Sequence, residues 1–181
     1  MTKVYQMYNT IIIDNFFDNF HILENHFKKI PLTSFEEYPK TIKNNATWPG
    51  KRSMPILEIN PFLWQLIVKE LMNKSQNQKL LNGNWRMEAV AHLRLEEDNT
   101  KDWMHKDPDD ITMIIFLGKT NLNSGLHIYN EKQEETEYVK YVQNRAVLFN
   151  GRSYHKPGNS YGDSVENGRL TLNCFINFVE N

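Results

Sequence analysis

The chain lacks several features that mark large classes of protein. It contains one cysteine, so it has no internal disulfide framework, and Cys174 lies in an apolar run typical of a buried strand. No stretch of about 18 apolar residues occurs, and the first residues hold only a run of three isoleucines, so we expect neither a membrane span nor a secretory signal. We therefore expect the protein to act in the cytoplasm.

An excess of charge of one sign is also absent. The net charge is -1 and the sequence contains no basic cluster, so we expect neither a nucleic-acid partner nor a membrane partner. A composition with 40% hydrophobic and 24% charged residues excludes a disordered chain. At 181 residues the chain can bury one substantial core but not two, so we expect a single domain over residues 1–181. The sequence specifies no oligomeric state.

The first part of the chain, residues 1–84, has the pattern of a helical support region. A strand-like run at 10–14 is followed by Asp18, which we expect to cap a helix, and Asn60 precedes a proline in the pattern of a second helix start. Apolar residues at spacings of three and four predict the buried faces of the two helices. They are Phe20, Leu23, Phe27 and Ile30 in the first helix and Trp64, Ile67, Val68 and Leu71 in the second.

From residue 85 onward, short apolar or alternating runs are separated by turn signals such as "DPDD" and "NGRS". Eight such runs predict the strands of a β-sandwich or jelly roll. They are 85–95, 103–106, 111–117, 126–130, 137–142, 146–150, 154–157 and 169–178. Residues 85–181 are thus the predicted β core. Helices that precede a β-rich region indicate an α+β fold with the helices packed on one sheet.

The stretch "WMHKDPDD", residues 103–110, carries the first chemical signal. Residues i and i+2 of a strand project from one face, so His105 and Asp107 can converge on a metal ion. His155, in "FNGRSYHKPGNS", is the best third ligand, and two histidines with one carboxylate form the facial triad of non-haem Fe(II) enzymes. The alternative is that Asp107 only opens the turn and that His155 is a solvated histidine.

The last strand-like run, "GRLTLNCFINF", alternates between an apolar face and a mixed face. The mixed face begins with Arg169, continues with Thr171 and Asn173, and either faces solvent or lines a polar pocket. An arginine 14 residues after His155 has the chemistry to hold a dicarboxylate through paired, charge-assisted hydrogen bonds. The run therefore predicts a second candidate binding group for the same site.

In this order, the His-x-Asp pair, the distal histidine and the final Gly168-Arg169 resemble the 2-oxoglutarate- and Fe(II)-dependent oxygenases, most closely the prolyl-4-hydroxylase-like branch. "AVLFNGRSYHKPGNS" is similar to the strands around the distal histidine of that family, "SGLHIYN" to its Gly-Gly-Glu-type strand, and "IIIDNFF" to its Asp-Asn-Phe opening. The chain departs from the pattern in two places. Leu126 and His127 stand where the family has a second glycine and an acidic residue, and the arginine follows the histidine at a longer spacing.

The resemblance implies a double-stranded β-helix (jelly roll) that binds Fe(II) through the catalytic residues His105, Asp107 and His155. It implies 2-oxoglutarate and O2 as co-substrates, with ascorbate as a candidate reductant. The reaction would hydroxylate a peptidyl residue or a small molecule and release succinate and CO2. The far carboxylate of 2-oxoglutarate would meet Arg169, and the residues expected around the co-substrate or substrate are Arg169, Thr171, Asn173, His92, His127 and Tyr129.

A long loop between the helices contains "TWPGKRS", residues 47–53, which we expect to fold over the open face of the β region and to contribute to substrate selection.

The main alternative from another class is a non-catalytic jelly-roll binding module, such as a phage accessory protein, whose His and Asp residues are incidental. Among enzymes, a cupin would carry a His-x-His pair. A nucleic-acid demethylase would carry a second arginine where this chain has Phe175.

Overall fold

The computed structural model describes residues 2–7, 9–38, 48–98 and 103–179. Within these ranges the helices are α1 (Phe20–Lys28), α2 (Ile56–Ile59), α3 (Pro61–Lys74) and α4 (Gln78–Asn82). The strands are β1 (Lys3–Gln6), β2 (Thr10–Asp14), β3 (Thr33–Ser34), β4 (Lys51–Arg52), β5 (Trp85–Arg94), β6 (Ile111–Phe116), β7 (Asn121–Tyr129), β8 (Glu135–Tyr141), β9 (Arg145–Asn150), β10 (Tyr154–Pro157) and β11 (Arg169–Phe178). No helix in the described ranges has the length and apolar character needed to cross a bilayer.

The strands form two antiparallel sheets. The large sheet has eight strands in the order β1-β2-β9-β6-β11-β5-β4-β3, and the small sheet has three in the order β10-β7-β8. Strand β11 lies inside the large sheet, where it pairs with β5 along one edge and with β6 along the other. The chain is therefore a mixed α/β protein with a large antiparallel sheet and few helices.

The two faces of the large sheet have different neighbours. On one face, Leu172 of β11 belongs to the same apolar cluster as Phe27 of α1 and Ile67 of α3. On the other face, Val147 of β9 packs in a second cluster with Leu126 of the small sheet. Because a strand alternates its side chains, one set of residues in β11 enters the helix-covered core and the other set faces the space between the sheets.

Both predicted helices form, and they begin differently from each other. Helix α1 begins after Asn19, whose backbone is left-handed with φ 55° and whose side chain makes no capping hydrogen bond. The prediction that Asp18 caps this helix is wrong, because its carboxylate instead pairs with Lys74 of α3 at 2.8 Å. Helix α3 begins as predicted, since the side chain of Asn60 accepts a hydrogen bond from the backbone N–H of Leu63.

Seven of the eight predicted strands of the β core are present, and six of them differ from the prediction by at most two residues at either end. The strand predicted at 126–130 begins five residues earlier, because β7 also includes the residues from Asn121 that were expected to form a turn. The exception is 103–106, where the structure has only an isolated bridge at His105. Strands β1 and β2 add to the edge of the large sheet, so the region expected to be helical support also supplies strands. The burial of Cys174 in the helix-side cluster is confirmed.

Candidate metal centre and adjoining cavity

A pair of backbone hydrogen bonds brings two histidines together. The N–H of His105 donates to the carbonyl of His155 at 3.0 Å, and the N–H of His155 donates back at 2.9 Å. The N–H of Asp107 donates to the carbonyl of Gly151 at 2.8 Å, which fixes the residue after the bridge. The two imidazole rings lie 4.4 Å apart between centroids. The predicted His-x-Asp pair and the distal histidine therefore converge in the structure.

Nearby backbone carbonyls orient both imidazoles. Nδ1 of His105 lies 3.1 Å from the carbonyl oxygen of Trp103, and Nδ1 of His155 lies 3.0 Å from that of Ser153. Because a carbonyl oxygen can only accept, each Nδ1 carries a proton, which leaves Nε2 as the nitrogen that can bind a metal when the imidazole is neutral. Metal-binding histidines commonly have this support, in which the nitrogen that does not bind the metal donates to the protein.

The carboxylate of Asp107 lies between the two Nε2 atoms. Its Oδ1 is 3.8 Å from Nε2 of His105, and its Oδ2 is 3.4 Å from Nε2 of His155. The buried hydroxyl of Thr112, in β6, donates to Oδ2 at 2.6 Å. Burial lowers the pKa of His155, although the nearby Asp107 carboxylate raises it, so the imidazole favours the neutral form that binds metals.

This donor set fits a divalent transition metal. One ligand atom from each of His105, Asp107 and His155 lies within 4.8 Å of the other two. Two imidazole nitrogens and one carboxylate are the ligands of the facial triad, which leaves the remaining coordination positions for other molecules. The same three residues line a cavity of about 470 Å³, a volume in the range of small-molecule sites.

A buried arginine lines the same cavity. Arg169 is 3% exposed, its Nε donates to the carbonyl of Ser124 at 3.0 Å, and its Nη2 lies 3.4 Å from that of Gly125. Its guanidinium carbon also lies 5.5 Å from the ring centroid of Tyr141. Since Arg169 belongs to the large sheet and its carbonyl partners to the small sheet, these contacts fix the guanidinium between the sheets. The solvent-facing alternative for Arg169 is thereby excluded.

Three further residues expected at the co-substrate lie close to this arginine in the sheet. Asn173 lines the cavity, and Thr171 donates its hydroxyl to Oδ1 of Asn173 at 3.0 Å. His92 lines the cavity from β5, and its Nε2 donates to the carbonyl of Pro49 at 2.7 Å. Burial, reinforced by the charge of Arg52, lowers the pKa of His92 well below its usual value, so this imidazole is neutral.

His127 and Tyr129 differ from the expectation. They share a face of β7, as alternation predicts, but the neighbouring Leu126 is the residue of this strand that lines the cavity. Nδ1 of His127 lies 2.9 Å from Oε2 of Glu135, and its ring packs 4.6 Å from that of Tyr138. Neither His127 nor Tyr129 is among the described residues that line the cavity, so this placement gives no support to a pocket role.

The predicted loop reaches the cavity. Trp48, Pro49 and Arg52 line it, whereas Thr47 lies outside the described residues. Arg52 is in β4, which pairs with β5 near the edge of the large sheet. Trp103, which is 50% exposed, forms another part of the wall. The position of the loop agrees with the expectation, and its role in substrate selection stays a prediction.

Sequence reasoning did not identify Thr112 or Tyr141 as residues that support the site. Thr112 follows Asp107 by five residues, and the available signal was one hydroxyl in the otherwise apolar run "ITMIIF". Tyr141 packs beside the guanidinium of Arg169, and its hydroxyl accepts a hydrogen bond from the N–H of Gly118 at 2.8 Å. Nothing in the sequence around Tyr141 distinguishes it from other aromatic strand residues.

The chain shares its fold with the 2-oxoglutarate- and Fe(II)-dependent oxygenases. No protein-family model and no curated protein matches the sequence, so solved structures carry the comparison. An oxidoreductase of the 2OG-Fe(II) oxygenase family from Burkholderia pseudomallei matches with a TM-score of 0.64 at 10% identity, over 93% of this chain and 84% of that one.

Two prolyl hydroxylases are also similar. A Pseudomonas putida prolyl-4-hydroxylase matches with a TM-score of 0.57 at 13% identity, over 95% of this chain and 94% of that one. A Trichoplax adhaerens prolyl hydroxylase was solved with a hypoxia inducible factor oxygen degradation domain peptide fragment. It matches with a TM-score of 0.58 at 12% identity, over 93% of this chain and 83% of that one. At these identities the likeness concerns the fold, and at that level it confirms the resemblance drawn from the sequence.

Proposed function

We propose that this chain is a non-haem Fe(II)- and 2-oxoglutarate-dependent dioxygenase that hydroxylates a peptidyl residue or a small molecule and releases succinate and CO2. The observation that carries the proposal is the convergence of His105, Asp107 and His155 at the wall of a cavity that also contains a buried arginine. The fold shared with 2OG-Fe(II) oxygenases supports it. We further propose that the chain is one catalytic domain built as a double-stranded β-helix with helices on one face.

Fe(II), held by these three side chains, would supply the oxidising chemistry together with 2-oxoglutarate and O2, and ascorbate would serve only as an external reductant. The residues of the chain hold the ligands in place. The carbonyls of Trp103 and Ser153 fix the two imidazoles, and the hydroxyl of Thr112 fixes the carboxylate. Such support keeps the ligand atoms in the geometry that a metal requires.

Arg169 is the proposed partner of the far carboxylate of 2-oxoglutarate. A guanidinium offers planar, paired N–H donors that match a carboxylate, and the low dielectric of a buried site strengthens the pair. Its anchoring on Ser124 and Gly125 orients it before the co-substrate binds. Asn173 adds an amide on the same face of β11, and Thr171 holds that amide in place. His92, being neutral, adds no charge that would compete for the carboxylate.

The substrate class is proposed more broadly. The Trichoplax adhaerens enzyme was solved with a peptide fragment, which supports a peptide as one option. The volume of about 470 Å³ is also compatible with a small molecule beside the co-substrate. The expectations of no nucleic-acid partner, no membrane partner and a cytoplasmic location stay predictions.

The test is the release of succinate. Anaerobically purified protein is incubated with Fe(II), 2-oxoglutarate and ascorbate, oxygen is admitted, and succinate is followed by mass spectrometry. His105→Ala is compared with His26→Ala, which removes an exposed histidine of α1. Arg169→Met is compared with Arg86→Met, which removes an exposed arginine of β5. We expect His105→Ala to abolish succinate release and Arg169→Met to require far more 2-oxoglutarate, while both controls behave as the wild type.

A parallel thermal-unfolding measurement separates the proposal from its alternative. A metal- and co-substrate-binding protein is stabilised by Fe(II) plus 2-oxoglutarate even when its prime substrate is missing. Absence of succinate together with absence of this stabilisation would instead favour a non-catalytic jelly-roll binding module.

A further inference from the structure

Two N–H donors at the cavity are buried without an acceptor. Within the part of the chain that the structure describes, neither Nε–H of Arg52 nor Nε1–H of Trp48 has a hydrogen-bond partner. Both residues line the cavity that contains the metal ligands. Buried polar groups are nearly always paired, so two unpaired donors in one cavity indicate a missing acceptor.

The two donors are held in place by their surroundings. The guanidinium of Arg52 lies over the indole of Trp48, with 4.6 Å between the guanidinium carbon and the ring centroid. The rings of Phe35 and Tyr38 pack nearly perpendicular to that indole, at 4.9 and 5.0 Å between centroids. The hydroxyl of Tyr38 donates to the carbonyl of Ser53 at 2.8 Å, which ties the aromatic group to the end of β4. A preorganised pair of donors favours binding because little side-chain freedom is lost.

The charge of Arg52 persists at neutral pH. Burial lowers the pKa of Arg52 to about 10, while electrostatic interactions with Asp107, Tyr38 and Glu88 oppose that change. The guanidinium thus remains a cation in a partly desolvated position. Asp107 makes the first of these opposing interactions, and in the proposed enzyme its carboxylate is committed to the metal.

The co-substrate does not account for this cation. In the proposed function, the metal and Arg169 would account for the two carboxylates of 2-oxoglutarate. Arg52 pairs in the sheet with His92, and His92 pairs with Thr171 of β11. Arg52 is therefore two strands away from β11, a backbone separation of about 10 Å. The Nε–H of Arg52 is thus left available for an acceptor from a further molecule.

We propose that Arg52 and Trp48 bind a carboxylate of the substrate, so that the substrate is a carboxylic acid, either a free amino acid or related small acid or the C-terminal residue of a peptide. This inference rests on the proposed function, because only an enzyme would have the bound molecule as its substrate. One guanidinium and one indole N–H match the two oxygens of a carboxylate, whereas a phosphate would leave further oxygens unpaired. The aromatic side chains of Trp103 and Phe175 line the same cavity and provide apolar surface for the rest of the acid.

The first experiment measures binding without turnover. Protein loaded with Fe(II) and 2-oxoglutarate under anaerobic conditions is titrated with propionate and with propionamide at constant ionic strength, and tryptophan fluorescence and thermal unfolding are followed. Propionate is expected to bind roughly tenfold or more tightly than the amide. Arg52→Met is expected to abolish this preference and Trp48→Phe, which keeps the ring but removes the N–H, to reduce it. Lys51→Met, which removes an exposed cation from the same strand, is expected to keep it.

A second arm distinguishes the two sources of the carboxylate. Oxygen is admitted, and succinate release is measured with the free L-amino acids and with N-acetyl dipeptides that end in a free carboxylate or in an amide. Stimulation by the amino acids alone indicates a small acid as the source. Stimulation by the free-carboxylate peptides and not by the amidated ones indicates a peptide terminus.

Three outcomes would overturn the inference. The first is that wild-type protein binds propionate and propionamide equally. The second is that Lys51→Met loses the preference for propionate as fully as Arg52→Met does. The third is that Arg52→Met raises the 2-oxoglutarate requirement as much as Arg169→Met does. The last would assign Arg52 to the co-substrate instead. If wild-type protein binds propionate selectively but releases no succinate, the carboxylate site stands and the proposed oxygenase reaction fails. If it releases succinate but does not discriminate the acid, the reaction stands and the carboxylate site fails.

Discussion

Replacing Thr112 by valine tests whether the hydrogen bond to Asp107, a proposed metal ligand, matters for metal binding. The hydroxyl of Thr112 is 2.6 Å from Oδ2 of Asp107, and the side chain is 1% exposed, so water cannot readily replace it. Valine has nearly the same shape, so the change removes the hydrogen bond and little else. A hydrogen bond to a charged group contributes about 1.5–3 kcal/mol, and loss of such supporting contacts typically weakens metal affinity about 10–100-fold. At about 1.4 kcal/mol per tenfold change, the two ranges agree.

The measurement is an anaerobic calorimetric titration of Thr112→Val with Fe(II). We expect the dissociation constant to rise about 10–100-fold relative to wild type. Thr10→Val is the matched control, because the hydroxyl of Thr10 is also buried in the large sheet and donates to a carboxylate, that of Glu137, at 2.8 Å. The control should lose stability without losing metal affinity. Equal affinity of Thr112→Val and wild type, or equal weakening in both variants, would refute the supporting role of this hydroxyl.

Three further predictions concern stability and reactivity. Gly125→Ala should lower the free energy of unfolding, measured by urea denaturation, by about 1–3 kcal/mol, because an added Cβ would collide with the backbone oxygen of Val139. Lys74→Met should lower the free energy of unfolding, measured in the same way, by about 2–3 kcal/mol, because the buried carboxylate of Glu70 loses its partner at 2.8 Å. The double variant with Glu70→Gln should recover part of that stability. Cys174 should resist alkylation in the folded protein, and raising the pH from about 7 to 9 should not accelerate the reaction, because burial raises the pKa of its thiol above that range.

Local sequence patterns predicted most strands of the β core and the face of β11 that lines the cavity. Strand β11 was predicted over the range that the structure has, and its alternation correctly grouped Arg169 with Asn173. For β7 the same alternation grouped His127 with Tyr129, but alternation alone does not determine which face of the strand lines the cavity. That choice depends on how the small sheet packs on the large one, and Leu126 takes the inward position.

Long-range partners explain the other differences. Asp18 has the residue type of a helix cap, yet Lys74 of α3 takes its carboxylate, and no local pattern contains that contact. Strands β3 and β4 have two residues each, too few for periodicity to be visible. The loop that contains Arg52 was expected at the open face, but the burial of its Nε–H depends on side chains from distant segments, which the local sequence does not contain.

The backbone bridge between His105 and His155 has a consequence for when the proposed metal site forms. Each histidine supplies the backbone partner of the other, so their relative position exists only after two segments distant in the sequence have met. An unfolded or partly synthesised chain presents neither the bridge nor the carboxylate between the rings. A metal held by these side chains would therefore bind only after the segments around His105 and His155 have paired, so metal binding would report that this part of the chain has folded.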